Sequence, residues 1–164
     1  YLLSLGHKNI ALVGGGKDVL STYQRQTYYR NILAANGLKY GDYYVANSKT
    51  YDVQGGYLAM REIFKKNELP TAIIAINDFS AVGIIKAIRE KGLEIGEDIS
   101  IVSFDNSYIS ELMEPELTSV GADYYELSKT IIDLATSLIT NKKMEEVVPV
   151  PVHLSIRDSV TNIN

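Results

Sequence analysis

The sequence predicts an α/β fold built on a doubly wound, mostly parallel sheet. Short apolar runs alternate with segments of helix length along the chain. Each strand–helix–strand unit is long enough for the right-handed crossover that joins parallel strands. Residues 71–76 (TAIIAI) are apolar almost throughout, which is typical of a parallel strand covered on both faces. The 164 residues suffice for one domain with a core of its own.

Strands and helices alternate over the first two thirds of the chain. The strands are predicted at residues 9–13, 43–46, 71–76 and 99–104, and the helices at residues 22–36, 52–67 and 78–91. Ser21 and Gln24 form a candidate capping box for the first helix. Asp52 and Asp78 stand where the second and third helices begin, so we expect both to act as N-caps.

The pattern changes after Pro115. Residues 117–120 predict a short strand, and residues 124–140 predict a long amphipathic helix. Residues 146–157 are rich in β-forming residues and contain two prolines, which suits an edge strand or a crossing strand. The apolar stripe of the long helix consists of Leu127, Ile131, Ala135 and Leu138.

The composition argues against several classes of function. A formal net charge of −4 with scattered basic residues argues against nucleic-acid binding by this chain, because phosphate contacts need clustered Lys and Arg. No apolar run approaches the roughly 20 residues that span a bilayer. The lack of cysteine excludes disulfides and thiolate chemistry. The chain begins without a Met, on residues typical of a helix end, so we expect a part of a longer protein.

Candidate ligand-binding residues follow the predicted strands, at the edge where open α/β sheets bind their ligands. They are Arg25 on the helix after the first strand, Tyr51 after the second, Asn77 after the third and Asp105 after the fourth. A carboxylate accepts hydrogen bonds from hydroxyl groups, arginine and amide groups orient ring oxygens, and an aromatic face stacks on a sugar. The set therefore predicts a site for a small polyhydroxylated ligand.

Three of these four residues also have a purely structural interpretation. Asn77 and Asp105 can cap the helical segments that follow them, which for Asp105 is a short turn at residues 107–112. Tyr51 can be an ordinary exposed tyrosine in a chain that contains 12 of them.

No catalytic motif stands out. Residues 14–17 (GGGK) lack the spacing of a P-loop, and Val19 occupies the position where a dinucleotide-binding loop needs its last glycine. His7 and His153 have no partner at metal-ligand or triad spacing, and we interpret His7 as a helix-end residue that interacts with the helix dipole. We therefore expect no enzyme activity, no cofactor and no metal site.

Several short motifs occur in a characteristic order. Residues 3–11 read LSLGHKNIA and residues 25–29 read RQTYY. They are followed by GYLAM (residues 56–60), PTAIIAIND (70–78), AVG (81–83), GEDISIVSFDN (96–106), PELTSV (115–120) and LSIRDS (154–159). This ordered set, which covers essentially the whole chain, resembles the lactose/galactose-repressor (LacI/GalR) family of transcriptional regulators. Tyr28 stands where that family usually has a glycine.

The resemblance implies a two-lobed sensor like a type I periplasmic binding protein, with a small effector, a sugar or sugar derivative, bound between the lobes. It implies that Arg25, Asn77 and Asp105 hydrogen-bond the effector and that Tyr51 stacks on it. It also implies a cytoplasmic, homodimeric repressor without membrane contacts. Such a repressor contacts operator DNA only through an N-terminal head that this chain does not contain.

The resemblance further divides the chain between the two lobes. Residues 1–120 and 153–164 would form the C-terminal lobe, and residues 121–152 would belong to the N-terminal lobe. The helix predicted at residues 124–140 would then lack most of its packing partner. We expect it to repack on this lobe, to dock against a second copy or to be poorly ordered. Two alternatives remain open: an exported sugar-binding protein of a transporter, which shares the fold, and a flavodoxin-like enzyme.

Overall fold

The computed structural model describes residues 1–16, 18–38, 45–140 and 148–164, which contain a six-stranded sheet. The strands are β1 (Ile10–Val13), β2 (Val45–Ala46), β3 (Ala72–Ala75), β4 (Ser100–Phe104), β5 (Thr118–Ala122) and β6 (Val152–Ser155). Their order is β2-β1-β3-β4-β5-β6, and all pairs are parallel except β5 with β6. The predicted doubly wound, mostly parallel sheet is confirmed.

Helices cover both faces of the sheet. Within the described ranges they are α1 (Leu20–Ala35), α2 (Val53–Ile63), α3 (Asp78–Glu90), α4 (Tyr108–Leu112) and α5 (Tyr124–Ile139), preceded by a 3-10 turn at Leu3–Leu5. The helices α2 and α3 pack on one face, where the buried residues include Met60, Ile63, Ile73, Ile84, Ile88 and Ile101. The helix α1 packs on the other face, where Tyr29 and Leu33 meet Ile10 and Leu12.

The helices α2 and α3 cross at a contact that depends on glycine. A Cβ atom on Gly83 would overlap the backbone of Val53, and a Cβ atom on Gly56 would overlap the backbone of Ser80. The two backbones can approach this closely only because neither glycine carries a side chain. The crossing fixes α3, whose first turn lies at the carboxyl edge of the sheet.

The start of α1 differs from the prediction. The helix begins at Leu20, and the preceding Val19 makes no side-chain capping bond. The N–H group of Val19 donates to the carbonyl of Gly16 at 3.3 Å, so the loop turns into the helix before the predicted cap is reached. Ser21 and Gln24 therefore lie inside the helix, and the predicted capping box is wrong.

The caps of α2 and α3 give one confirmed and one wrong prediction. Asp52 caps α2, since its Oδ1 accepts from the N–H group of Gly55 at 2.8 Å. The cap of α3 is Asn77, whose Oδ1 accepts from the N–H group of Ser80 at 2.8 Å. Asp78 is not the cap; it is the first residue of the helix and is fully buried.

The other elements lie close to their predicted positions. The strand expected at residues 43–46 is the pair Val45–Ala46 in the structure, and its first two residues lie outside the described residues. The helix α2 ends at Ile63 and not at residue 67. The β-rich segment at residues 146–157 contains β6, while residues 146 and 147 lie outside the described residues.

The prediction for His7 is wrong, because its ring is buried and does not face a helix end. Its Nε2 donates to the carbonyl of Thr161 at 2.9 Å, and its Nδ1 lies 3.0 Å from the hydroxyl oxygen of Thr71. Burial lowers the pKa of His7 below its ordinary value and outweighs the hydrogen bond to Thr161, which raises it. The neutral ring thus joins the first residues of the chain to its last segment.

The apolar stripe of α5 is exposed. No residue of this helix, all of which the structure describes, is buried, and Ile131 and Leu138 are 56% and 69% exposed. The helix therefore does not repack on the sheet, which was one of the three expected outcomes. Across the described ranges, the helices lack the length and apolar character that a bilayer span requires.

We predict that Gly83→Ala destabilises the fold by about 3 kcal/mol, because the added methyl group must push the backbones of α2 and α3 apart. Gly92→Ala is the matched control. Gly92 has a positive φ of 74° but open space around it, so only backbone strain of about 1–2 kcal/mol is expected. Denaturant unfolding of both variants measures the two changes. Equal destabilisation would contradict the proposed role of the helix crossing.

Candidate ligand-binding site

The backbone takes an unusual turn directly after β4. Asp105 and Asn106 have φ values of 99° and 51°, in the left-handed region that residues other than glycine rarely adopt. The N–H group of Asp105 donates to the carbonyl of Val120 on β5 at 2.8 Å. Gly121 makes room for the carbonyl of Asp105, which a Cβ atom at that position would overlap. The turn holds Asp105 at the carboxyl edge of the sheet.

Arg25 reaches the same edge from α1. Its Nη1 donates to the carbonyl of Ile76, just after β3, at 2.5 Å. Its guanidinium carbon lies 4.1 Å from the centroid of the Phe104 ring, a cation–π contact that contributes about 0.5–2 kcal/mol. These two contacts fix the guanidinium group. Its other N–H groups make no hydrogen bond to the described residues, so they are available to a ligand.

Asn77 and Tyr51 join the loops that follow β3 and β2. The Nδ2 of Asn77 donates to the carbonyl of Tyr51 at 2.9 Å, while its Oδ1 caps α3. The hydroxyl oxygen of Tyr51 lies 2.6 Å from that of Thr22 and accepts from the N–H group of Gly16 at 3.1 Å. Both side chains therefore hold loops in place. Asn77 keeps one amide hydrogen for a further bond.

A cavity of about 390 Å³ opens at this edge. Its volume falls within the range of about 300–1,000 Å³ that is typical of small-molecule sites. The lining comes from α1, β4, β5, β6 and the first turn of α5, and it includes Arg25, Phe104, Asp105, Gly121, Tyr124 and Val152. The cavity combines two charged groups with two aromatic rings.

The four residues predicted from the sequence all lie at this edge of the sheet. Arg25 is bonded to Ile76 and Asn77 to Tyr51, whereas Asp105 interacts with Arg25 only through its charge. Arg25 and Asp105 line the cavity, whereas the polar atoms of the other two bind neighbouring loops. The sequence interpretation missed Phe104 and Tyr124. Phe104 directly precedes Asp105, and that position next to a predicted ligand residue is the signal that could have identified it.

Burial and opposing charges set the ionisation of the cavity. Burial, and then the negative charge of Asp78, raises the pKa of Asp105, while Arg25 lowers it. Burial lowers the pKa of Arg25, against the opposing effects of Asp105 and Tyr51. Burial, Asp105 and Asp78 together raise the pKa of Tyr124. Loss of water is the largest cause in each case, so hydrogen bonds from a polar ligand would compensate these groups.

A second concavity, on the α1 face of the sheet, is apolar. It has a volume of about 240 Å³ and lies beside the 3-10 turn, where Leu2 and Leu3 face Val102, Val120 and Leu154. Such a lining offers few groups that could orient a polar ligand. The candidate ligand site is therefore the cavity that contains Arg25 and Asp105.

An open, mostly parallel sheet with a cavity at its carboxyl edge is the architecture expected of a periplasmic binding protein-like domain. The chain belongs to the family of periplasmic binding protein-like domains, which matches residues 1–160. Over almost its whole length it is similar to part of several transcriptional regulators, among them regulators of the LacI family.

Two curated relatives are the transcriptional repressor PurR of Pasteurella multocida and the catabolite control protein A of Priestia megaterium. They are 36% and 30% identical to this chain over 98% and 96% of its residues, and each match covers 48% of the relative. The chain thus spans about half the length of the curated relatives it matches. The name of the first describes a transcriptional repressor, and that of the second a control protein.

Solved structures of regulators share the fold. The Escherichia coli repressor AscG superposes with a TM-score of 0.86 and 26% identity, over 98% of this chain and 58% of that chain. The complex of the regulator CelR with cellobiose gives a TM-score of 0.82 and 28% identity, over 96% of this chain and 48% of that chain. The predicted resemblance to the LacI/GalR family is confirmed.

We predict that Asp105→Asn stabilises the fold at neutral pH. The folded state raises the pKa of Asp105 above its ordinary value of 3.8, so the carboxyl group binds its proton more tightly when folded than when unfolded. The protonated carboxyl group therefore stabilises the folded state fully below pH 3.8, and this stabilisation is lost as the pH rises through the folded pKa of Asp105. The variant should melt at a higher temperature than the parent at pH 7, and the difference should disappear below pH 3.8.

Asp98→Asn is the control for this measurement. Asp98 precedes β4 at the opposite edge of the sheet, and its carboxylate accepts from the N–H group of Glu94 at 2.8 Å. Its replacement removes the same charge without relieving the partial loss of water and the repulsion from Asp78 that raise the pKa of Asp105, so no stabilisation is expected. A parent that melts above the Asp105→Asn variant at pH 7 would show that the attraction of Arg25 outweighs burial.

Proposed function

We propose that this chain forms the effector-binding half of a LacI-type transcriptional repressor. One observation carries the proposal: Arg25 and Asp105 share a cavity without satisfying each other. Among the described residues, the Asp105 carboxylate accepts no hydrogen bond, while the guanidinium of Arg25 is fixed by Ile76 and Phe104. An acceptor and a donor held side by side complement the hydroxyl groups of a small polar ligand.

A sugar or sugar derivative fits this chemistry best. The Asp105 carboxylate would accept from sugar hydroxyl groups, and Arg25 would donate to ring or hydroxyl oxygens. Phe104 and Tyr124 supply aromatic surface for the apolar face of a sugar ring. The cellobiose complex of the relative CelR supports a sugar as the ligand class. Sugar phosphates and purines also present groups that Arg25 and Asp105 can bind.

Asn77 and Tyr51 are proposed to contribute less directly. The free amide hydrogen of Asn77 could donate to the ligand, and the ring of Tyr51 could contact it. Their bonds to Gly16, Thr22 and each other would also keep the rim of the site in place.

The proposed sensor has two lobes. Residues 1–120 and 153–164 would form one lobe, and residues 121–152 would belong to the other. The exposed apolar stripe of α5 supports this division, because a stable domain rarely leaves such a stripe bare. The strands β5 and β6 stay paired past this boundary, through Gly121 with His153 and Ala122 with Val152.

The proposed activity is an allosteric switch. An effector between the lobes would favour one of their arrangements, and only its difference in affinity for the two arrangements can drive the switch. In a homodimer, the arrangement of the lobes would set the spacing of two DNA-binding heads, which must match half-sites one helical turn apart. With a net charge of −4, this chain leaves operator contact to an N-terminal head. Such a repressor acts in the cytoplasm.

An exported sugar-binding protein is the alternative with the same fold. The curated relatives on which the proposal rests are transcriptional regulators, which supports the repressor over a transport protein.

Calorimetry with the full-length protein tests the proposed function. Monosaccharides, disaccharides including cellobiose, sugar phosphates and purines are titrated in turn, and at least one compound should bind. Asp105→Asn should weaken that binding about 10- to 150-fold, because a hydrogen bond to a charged group contributes about 1.5–3 kcal/mol. Asp98→Asn, at the opposite edge, should leave the affinity unchanged. If Asp105→Asn binds every hit as tightly as the parent, the site assignment is wrong.

A further inference from the structure

A buried carboxylate lies directly behind the candidate site. Asp78 is fully buried, yet its Oδ1 accepts from the hydroxyl groups of Ser103 at 2.5 Å and Ser119 at 2.8 Å. Its Oδ2 accepts from the N–H group of Ser107 at 2.6 Å and from the hydroxyl group of the same residue at 2.7 Å. The four donors come from β4, from the loop before α4 and from β5.

This network compensates a buried charge without a cation. Within the described ranges, no lysine or arginine pairs with Asp78. An unpaired buried carboxylate is costly unless its lone pairs are satisfied, and here four hydrogen bonds and the N-terminus of α3 satisfy them. A serine cluster arranged around one carboxylate links three separate segments of the chain to α3.

The segments that Asp78 links enclose the turn that carries Asp105. Ser103 lies two residues before Asp105 and Ser107 two residues after it. Ser119 makes a third link, because its hydroxyl oxygen accepts from the N–H group of Asn106 at 3.0 Å while its hydroxyl group donates to Asp78. The turn formed by Asp105 and Asn106, both with positive φ, is therefore fixed at its start by Ser103, at its end by Ser107 and at Asn106 by Ser119.

We propose that Asp78 is a positioning residue of the ligand site: through Ser103, Ser107 and Ser119 it holds the Asp105–Asn106 turn so that the Asp105 carboxylate faces Arg25 across the cavity. Asp78 itself does not touch the cavity. The inference rests on the proposed function for its biological meaning, but the hydrogen-bond network exists without a ligand and can be tested without one.

Asp78 also acts on Asp105 through its charge. The charged and titratable groups around Asp105 are Arg25 on α1, Asp78 on α3 and Tyr124 on α5, while Arg157 donates to the side chain of Asn106 at 3.0 Å. The negative charge of Asp78 raises the pKa of Asp105. Removing that charge must therefore lower the pKa of Asp105, an effect that a purely structural role would not produce.

The test uses the full-length protein labelled with ¹³C in its aspartate carboxyl groups and with ¹⁵N in its serine and asparagine amides. In Asp78→Asn, the NMR titration midpoint of Asp105 should move to lower pH. The amide hydrogen of Ser107 should exchange about tenfold faster, because a hydrogen bond to a charged acceptor becomes one to a neutral acceptor. The control Asp98→Asn should change neither quantity.

Ser119→Ala separates position from charge. It keeps the carboxylate of Asp78 but removes the acceptor of the Asn106 N–H group, so that amide should exchange faster while the pKa of Asp105 stays raised. The proposal is overturned if Asp78→Asn leaves the Asp105 midpoint and Ser107 exchange at parental values. Should that variant not fold, unchanged Asn106 exchange in Ser119→Ala overturns it. If these shifts occur but no compound binds in calorimetry, the proposed function alone fails.

Discussion

The parallel arrangement of the sheet is the constraint on which the rest of this structure depends. Five parallel strands end at one edge of the sheet. The order in which the strands are added reverses between β1 and β3, so that α1 covers one face and α2 and α3 cover the other. Loops that diverge at such a point leave a crevice between them. Arg25 on α1 reaches from this crevice past the end of β3, where it donates to the carbonyl of Ile76, to the ring of Phe104. It thereby meets Asp105 at a cavity bordered by β4, β5 and β6.

Local patterns made most of the fold predictable. Apolar runs, glycine stops and the spacing of helical stripes predicted the order of the elements through α5. The errors came from contacts that no local pattern contains. Asp78 has the sequence context of a cap, but three serines from later in the chain surround it and Asn77 takes the capping position. His7 has the context of a helix end, but Thr71 and Thr161 bury it.

The sequence predicted those residues of the site that come soon after the end of a strand. Arg25 and Asp105 could be selected because they come after apolar strands, and the structure places both in the cavity. Phe104 was missed although it directly precedes Asp105, because its role depends on the contact of its ring with Arg25 on α1, which only the folded arrangement brings about. The hydroxyl group of Tyr51, in the loop before α2, contacts that of Thr22 on α1, and that pairing requires the folded arrangement of α1.

The antiparallel pairing of β5 with β6 has a mechanical consequence. The chain leaves the sheet at Ala122 and returns beside it at Val152, so α5 is tethered to the sheet by a narrow two-stranded ribbon. The N–H group of Asp105 is bonded to Val120 on that same ribbon. A segment that rotates about such a ribbon moves least near the ribbon and furthest at its far end. If the two proposed lobes move about this ribbon, a ligand held beside it stays in contact with both of them, while surfaces far from the ribbon are displaced by the largest amount.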